Sequence, residues 1–371
     1  MLKKTFWLLM VILLAFSGFL VGCESSPEEV EPVEEDEAEV DEGEEETAAD
    51  EVIVLKYNDY GSEALDTAKV AMWAAEEIEE RSNGRVKIET FFGGTLIEHA
   101  DTYHGLARGV ADLSFITPSW STGIHVLGTL PNFLNAEAPP SPMNVAKTWI
   151  ELYEMYPQFQ EELADTGTTW IAISSLNHYH LNTSDVEVRV PDDLRGLKIN
   201  ADGDAVDWVE TLGATATRLP VGDWYMAHET GLIDGQFMHF PAMRGMKLYE
   251  VTNTHTMLGA YTPLCGVQAN LDTWNSLPAD VQELLSEVFQ EAMFEIVRLN
   301  EPKDEDVMNT VTERGHTVIW LTPEEDALWR ASMAEFNERW VEQAEAAGYP
   351  AREIIEARDR LYREYREEED Q

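Results

Sequence analysis

Cysteine is nearly absent. The 371 residues contain only Cys23 and Cys265, which excludes a disulfide framework or a cysteine-built metal cluster. Basic residues are also scarce, with 25 Lys and Arg against 71 Asp and Glu, a net charge of −46. Nucleic acid is therefore not an expected partner, because its phosphates need a basic surface. The chain has no G-x-S-x-G, no H-E-x-x-H and no G-x-x-x-x-G-K-[ST]. The common serine hydrolases, zinc peptidases and phosphate-binding loops are thereby set aside, and the chain is not expected to be an enzyme. Paired carboxylates are uninformative where acids are this abundant, so a secreted hydrolase using such a pair stays open as an alternative. The acidic run Asn200, Asp202, Asp204 and Asp207 lacks the glycine and terminal glutamate of a calcium loop. It is expected to begin a helix, and neither a metal nor a cofactor is expected.

One long apolar run is present, Phe6 to Leu20. It is short for a membrane span, which takes about twenty residues. It follows Lys3 and Lys4 and ends at Leu20-Val21-Gly22-Cys23, the layout of a signal peptide over residues 1–22. An uncleaved anchor helix is the alternative, and both put the body outside the cytoplasm. The four closing residues resemble a bacterial lipobox, which implies that Cys23 is lipidated and tethers the chain to the membrane. Residues 24–51 then hold sixteen Asp or Glu and no Lys or Arg. Such a segment repels itself and cannot bury a core, so residues 23–51 are expected to be an extended tether. Without its sixteen acids, and without Lys3 and Lys4, the body still carries 55 acids against 23 bases, a net of −32. Adaptation to high salt, a cation-binding surface and general solubility compete as explanations. Salt adaptation is favoured, because the acids are spread along the whole chain. With Cys23 lipidated, Cys265 has no partner within the chain and is expected to be a small buried residue.

The body, from about residue 52 to 365, is long for one core and suggests two lobes. Residues 52–57, 85–92 and 111–116 read as strands. Between them lies a helix capped by Ser62, with Leu65, Ala68, Met72, Ala75 and Ile78 on one face, and a shorter helix over 98–110. Further helices are expected over 143–165, 204–212 and 222–230, from Pro278 towards Arg314, and from Pro323 onward. Further strands are expected over 169–176, 198–200, 216–219 and 318–321. This alternation predicts an α/β fold with two lobes, and solutes in such folds bind beyond the carboxyl ends of strands.

Ordered motifs then support a resemblance. Residues 191–200, PDDLRGLKIN, resemble the P-x-D-L-x-G-L-K-I-R segment of TRAP-transporter solute-binding proteins, the DctP-like family. Leu212-Gly213-Ala214, Pro220 with Tyr225, the run from Gly231 to Gln236, the run from Thr273 to Pro278, and Gly109 with Asp112 match its other motifs in order and spacing. The match covers nearly the whole body, and its strength lies in the ordered set. It implies a two-lobed periplasmic-binding-protein fold of type II, with central mixed sheets and long C-terminal helices. Lobe 1 would be 52–175, with about 262–290 returning to it. Lobe 2 would be 176–261, with the helices of about 291–371 packing on both. The implied function is extracytoplasmic capture of a small solute for membrane permease subunits. The binding protein of an ATP-driven importer, with a similar fold, is the other transport reading.

The resemblance also marks a departure. Relatives end the G-L-K-I-R strand with an arginine that clamps a ligand carboxylate through two parallel hydrogen bonds; here the residue is Asn200. Two further arginine positions of some relatives map to Tyr179 and Trp120. A carboxylate closed in a cleft without a cation is costly, so the resemblance combined with these replacements implies a neutral, aromatic or cationic ligand. An organic acid held by Arg218 or by a metal ion is the alternative. Asn58, Tyr60, Thr117, Trp120, Tyr179, Asn200, Phe237, Met238 and His239 are the expected ligand contacts. Asp59 is grouped with the turn after the first strand, His99, His178 and His180 are weaker candidates, and Trp224 and Trp274 read as scaffold.

Overall fold

Strand alternation at the start of the body produces a real strand. In the computed structural model, which describes residues 52–118, 127, 135–136, 139–201, 203, 205–369 and 371, β1 (Ile53–Asn58) pairs in parallel with β2 (Val86–Phe91). Between them runs α1 (Asp66–Arg81), which ends at the turn Asn83-Gly84, both in the left-handed region. Ser62 does not cap α1: the helix starts later, at Leu65, whose side chain makes no capping bond. Its buried face is Ala68, Ala71, Ala74 and Ile78, while Met72 is exposed. The small residues point inward because a long C-terminal helix packs directly on them.

After β2 come α2 (Thr102–Ala107) and β3 (Leu113–Ile116), which returns to pair with β1 in parallel. The helix expected over 143–165 is two helices, α3 (Pro142–Met155) and α4 (Gln158–Asp165). Pro157 accounts for the break, because the residue before a proline is pushed out of helical geometry; Tyr156 sits at φ −123°, ψ 89°. Then come β4 (Thr168–Ser175), β5 (His180–Thr183) and β6 (Lys198–Asn200). They are followed by α5 (Ala205–Thr211), β7 (Thr215–Thr217), α6 (Trp224–Glu229), β8 (Gly235–Met238), α7 (Phe240–Gly245) and β9 (Thr254–Thr256). The chain closes with β10 (Leu264–Asn270), α8 (Leu271–Ser276), α9 (Ala279–Glu313), β11 (Thr317–Ile319), α10 (Pro323–Ala346) and α11 (Ala351–Glu369).

The strands form two mixed sheets. One has the order β2-β1-β3-β10-β4, the other β11-β9-β5-β8-β6-β7. In the first, β10 runs antiparallel between β3 and β4, and all seven of its residues are buried, Cys265 among them. The chain passes between the sheets three times, after β4, before β10 and, through α8 and α9, from β10 to β11, and the first two passages bond to each other. Tyr179 N–H donates to Tyr261 O, and Ala260 N–H donates to Tyr179 O, both at 2.8 Å. The 35-residue α9, with Pro302 inside it, packs on α1 and β4 of one sheet region and on α7 and β11 of the other.

Candidate functional site

A cavity of about 520 Å³ lies where these passages meet the carboxyl ends of β1 and β3. Its wall includes Asp59, Tyr60, Phe115 and Thr117 after those strands, His99 at the approach to α2, and Leu176 and Tyr179 on one passage. Met238, His239, Trp224, Tyr225 and Asn300 belong to the second sheet's side and to α9. Tyr60 stacks on His99 with ring centroids 3.7 Å apart, and its hydroxyl meets that of Thr117 at 2.6 Å. Tyr179 lies between His239, at 5.2 Å, and Tyr261, at 4.7 Å. Burial pushes the imidazoles of His99 and His239 down to about 3, so both are neutral at ordinary pH.

Five of the expected ligand residues meet here: Tyr60, Thr117, Tyr179, Met238 and His239. Trp120 lies outside the described residues, as do Cys23 and the tether. Asn58, Asn200 and Phe237 stand off the wall, and each has a structural task. Asn58 donates to Ser114 Oγ at 3.1 Å and accepts from Ile97 N–H at 3.1 Å, tying β1 to β3 and to the loop before α2. The amide oxygen of Asn200 accepts from Leu219 N–H at 3.0 Å, which fixes the loop after β7. Phe237 is buried against Trp208 and Tyr261. Among the weaker candidates His99 is on the wall, whereas His178 and His180 are half-buried and off it, bonded to Thr262 and to Gly259 N–H. Trp224, read as scaffold, has both roles: its indole N–H donates to Leu219 O at 2.9 Å while the residue faces the cavity. Trp274 packs against the core as expected.

Charge on the wall is one-sided. All 23 Lys and Arg of the body are among the described residues, and none lines the cavity. Arg218 is exposed and stands away from it. Two carboxylates do line it, Asp59 and Asp66. Burial works against the charge on Asp66, but Lys303 and Lys69 outweigh it and hold the carboxyl below its usual range. Asp59 has no such partner, and burial raises its carboxyl to about 6. Among the described residues no cluster of three or more His, Cys, Asp or Glu could hold a metal.

Residues 61–343 match the family model for bacterial extracellular solute-binding protein, family 7. The chain is 25% identical over 292 residues to the C4-dicarboxylate-binding periplasmic protein DctP of Vibrio cholerae, covering 75% of this chain and 83% of that one. It is 25% identical over 279 residues to the ectoine/5-hydroxyectoine-binding periplasmic protein of Ruegeria pomeroyi, covering 74% and 80%. A TRAP periplasmic solute-binding protein from Desulfovibrio salexigens, solved with bound orotic acid, superposes with a TM-score of 0.75 at 18% identity over 84% of this chain and 99% of that one. The fold is therefore the two-lobed α/β fold of these receptors. The chain belongs to the bacterial extracellular solute-binding protein family 7, the DctP-type receptors of TRAP transporters, and is a solute-binding protein rather than an enzyme.

Proposed function

We propose that this protein captures a neutral or cationic organic solute in the cavity beside Asp59 and Tyr179 and delivers it to the membrane subunits of a TRAP-type permease. In this reading the two sheets mark two lobes that close over the solute. Lipidated Cys23 holds the acidic tether at the membrane, within reach of the permease. The observation that carries the ligand reading is the wall itself, with aromatic residues, two aspartates and no lysine or arginine. A carboxylate closed into it would lose water and gain no cation, a cost of several kcal/mol by general experience with buried unpaired charge. The names of the Vibrio relative and of the structure with orotic acid favour an organic acid instead.

Ligand-induced thermal shift separates the two. Malate and orotate are expected to leave the melting temperature unchanged, and polyols or amines to raise it. Micromolar binding of malate or orotate would overturn the neutral-or-cationic reading. The anchor is tested apart from the ligand: Cys23→Ser should move the protein from the membrane fraction to the soluble one.

A further inference from the structure

Asp59 is buried completely, immediately beyond the carboxyl end of β1. One side of the carboxylate is accounted for, since Oδ1 accepts from Gly61 N–H at 2.7 Å and the Thr67 hydroxyl also supports the carboxyl. The other, Oδ2, is buried with no hydrogen-bond partner in the protein. A charged oxygen in that state is expensive, and removing the deficit requires a donor, best one carrying positive charge. The protein has no cation to offer there, because every lysine and arginine of the body lies off the wall. Asp66 on the same wall shows the contrast, with Lys69 and Lys303 beside it. Tyr60, Tyr179 and Trp224 line the same space, and aromatic surroundings are ones in which a desolvated cation can be stabilised.

We propose that Asp59 is the cation anchor of the cavity, and that the solute carries a protonated amine or amidine whose N–H donates to Asp59 Oδ2. The assignment rests on the reading of the cavity as the solute site and narrows the solute to a class. An N–H donor is needed as well as a charge, so ammonium groups that retain a proton are preferred over quaternary ones. The imidazoles of His99 and His239 are neutral and Asp66 is already paired with Lys69 and Lys303, so Asp59 sets the sign that the site selects.

The test uses the full-length protein and two matched series: benzylamine, benzyl alcohol and benzoate; putrescine, 1,4-butanediol and succinate. Thermal shift and calorimetric titration are run on the wild type and on Asp59→Asn, which keeps an acceptor oxygen for Gly61. The amine of at least one series is expected to bind, its carboxylate counterpart not to bind, and Asp59→Asn to weaken the amine roughly ten- to a hundredfold. Far-UV circular dichroism and a cooperative urea transition show that the variant folds, and the alcohol should lose less affinity than the amine. The wild-type preference alone is decisive if the variant does not fold. Carboxylate or alcohol binding without amine binding, or amine binding indifferent to Asp59→Asn, overturns the anchor and leaves the solute trap standing. No binding by any of the six compounds counts against the anchor and the cavity assignment together.

Discussion

Asp59 and Asp66 stand on one wall and differ in what lies behind them. Asp66 has two lysines, and Asp59 has a backbone N–H, the Thr67 hydroxyl and a buried environment. The difference has a consequence for stability. The native state binds the Asp59 proton more tightly than the unfolded chain, so this group destabilises the empty protein as pH rises from about 4 through about 6. The rise from 3.8 to about 6 corresponds to roughly 3 kcal/mol at about 1.36 kcal/mol per pH unit. Ligand-free Asp59→Asn should therefore resist urea better than wild type at neutral pH, by up to that amount, and equally well near pH 4. A difference between the two that did not change with pH would refute the assignment. Asn200 illustrates the opposite case. Its alignment with a ligand-clamping arginine was legible in the motif, but its bond to Leu219 N–H depends on the loop after β7, which no local pattern describes. Asn200→Ala should cost about 1–2 kcal/mol by leaving that N–H unpaired, and solute affinity should change little. Asp59 itself was legible only as part of a turn. Its importance comes from burial and from the distribution of lysine and arginine in space, neither of which a linear reading contains.

At the scale of elements, the long and strongly patterned segments were readable and the short ones were not. The start of β1, the order β1-α1-β2-α2-β3 and the extent of α9 all follow from periodicity and from breakers such as Asn83-Gly84 and Pro278. Four strands, β5, β8, β9 and β10, have no such signal. Three of them span three or four residues, and β10 is buried on both faces, so it lacks the alternation that marks a half-buried strand. What identifies β10 instead is Gly266. A Cβ there would meet the carbonyl oxygen of Ala172 at 2.2 Å, because β4 passes directly against it. Since the obstacle is backbone in the middle of a sheet, it cannot rotate away. Gly266→Ala should destabilise the protein by roughly 2–3 kcal/mol, the upper part of the range for overpacked sites. A neutral effect in urea unfolding would mean that β4 and β10 separate more easily than their pairing implies. The same change should weaken solute binding indirectly, since the passage carrying Tyr179 begins where β4 ends.

The whole molecule carries a surplus of acid that local pairing cannot absorb. Arg81 is already shared between Glu77 and Glu291, Arg352 between Glu338 and Glu345, and Lys69 and Lys303 both serve Asp66. With 55 acids against 23 bases in the body, most carboxylates have no cation within reach. Repulsion among them favours expansion of the chain, and only mobile ions can relieve it. The screening length falls from about 10 Å at 0.1 M salt to about 3 Å at 1 M. The melting temperature is therefore expected to climb steeply as KCl rises to about 1 M and to flatten once screening is shorter than the spacing of neighbouring carboxylates. Chloride of potassium is the appropriate salt, because sulfate would also strengthen apolar burial and blur the cause. Replacing a group of exposed glutamates on α11 by glutamine should raise stability at low salt and leave it unchanged at high salt. A melting temperature independent of KCl would separate the acidity from folding altogether and leave solubility as its explanation. The two aspartates of the cavity respond differently: Asp59 is shielded from solvent ions by the protein around it, so its pH signature should persist at every salt concentration while the surface contribution disappears.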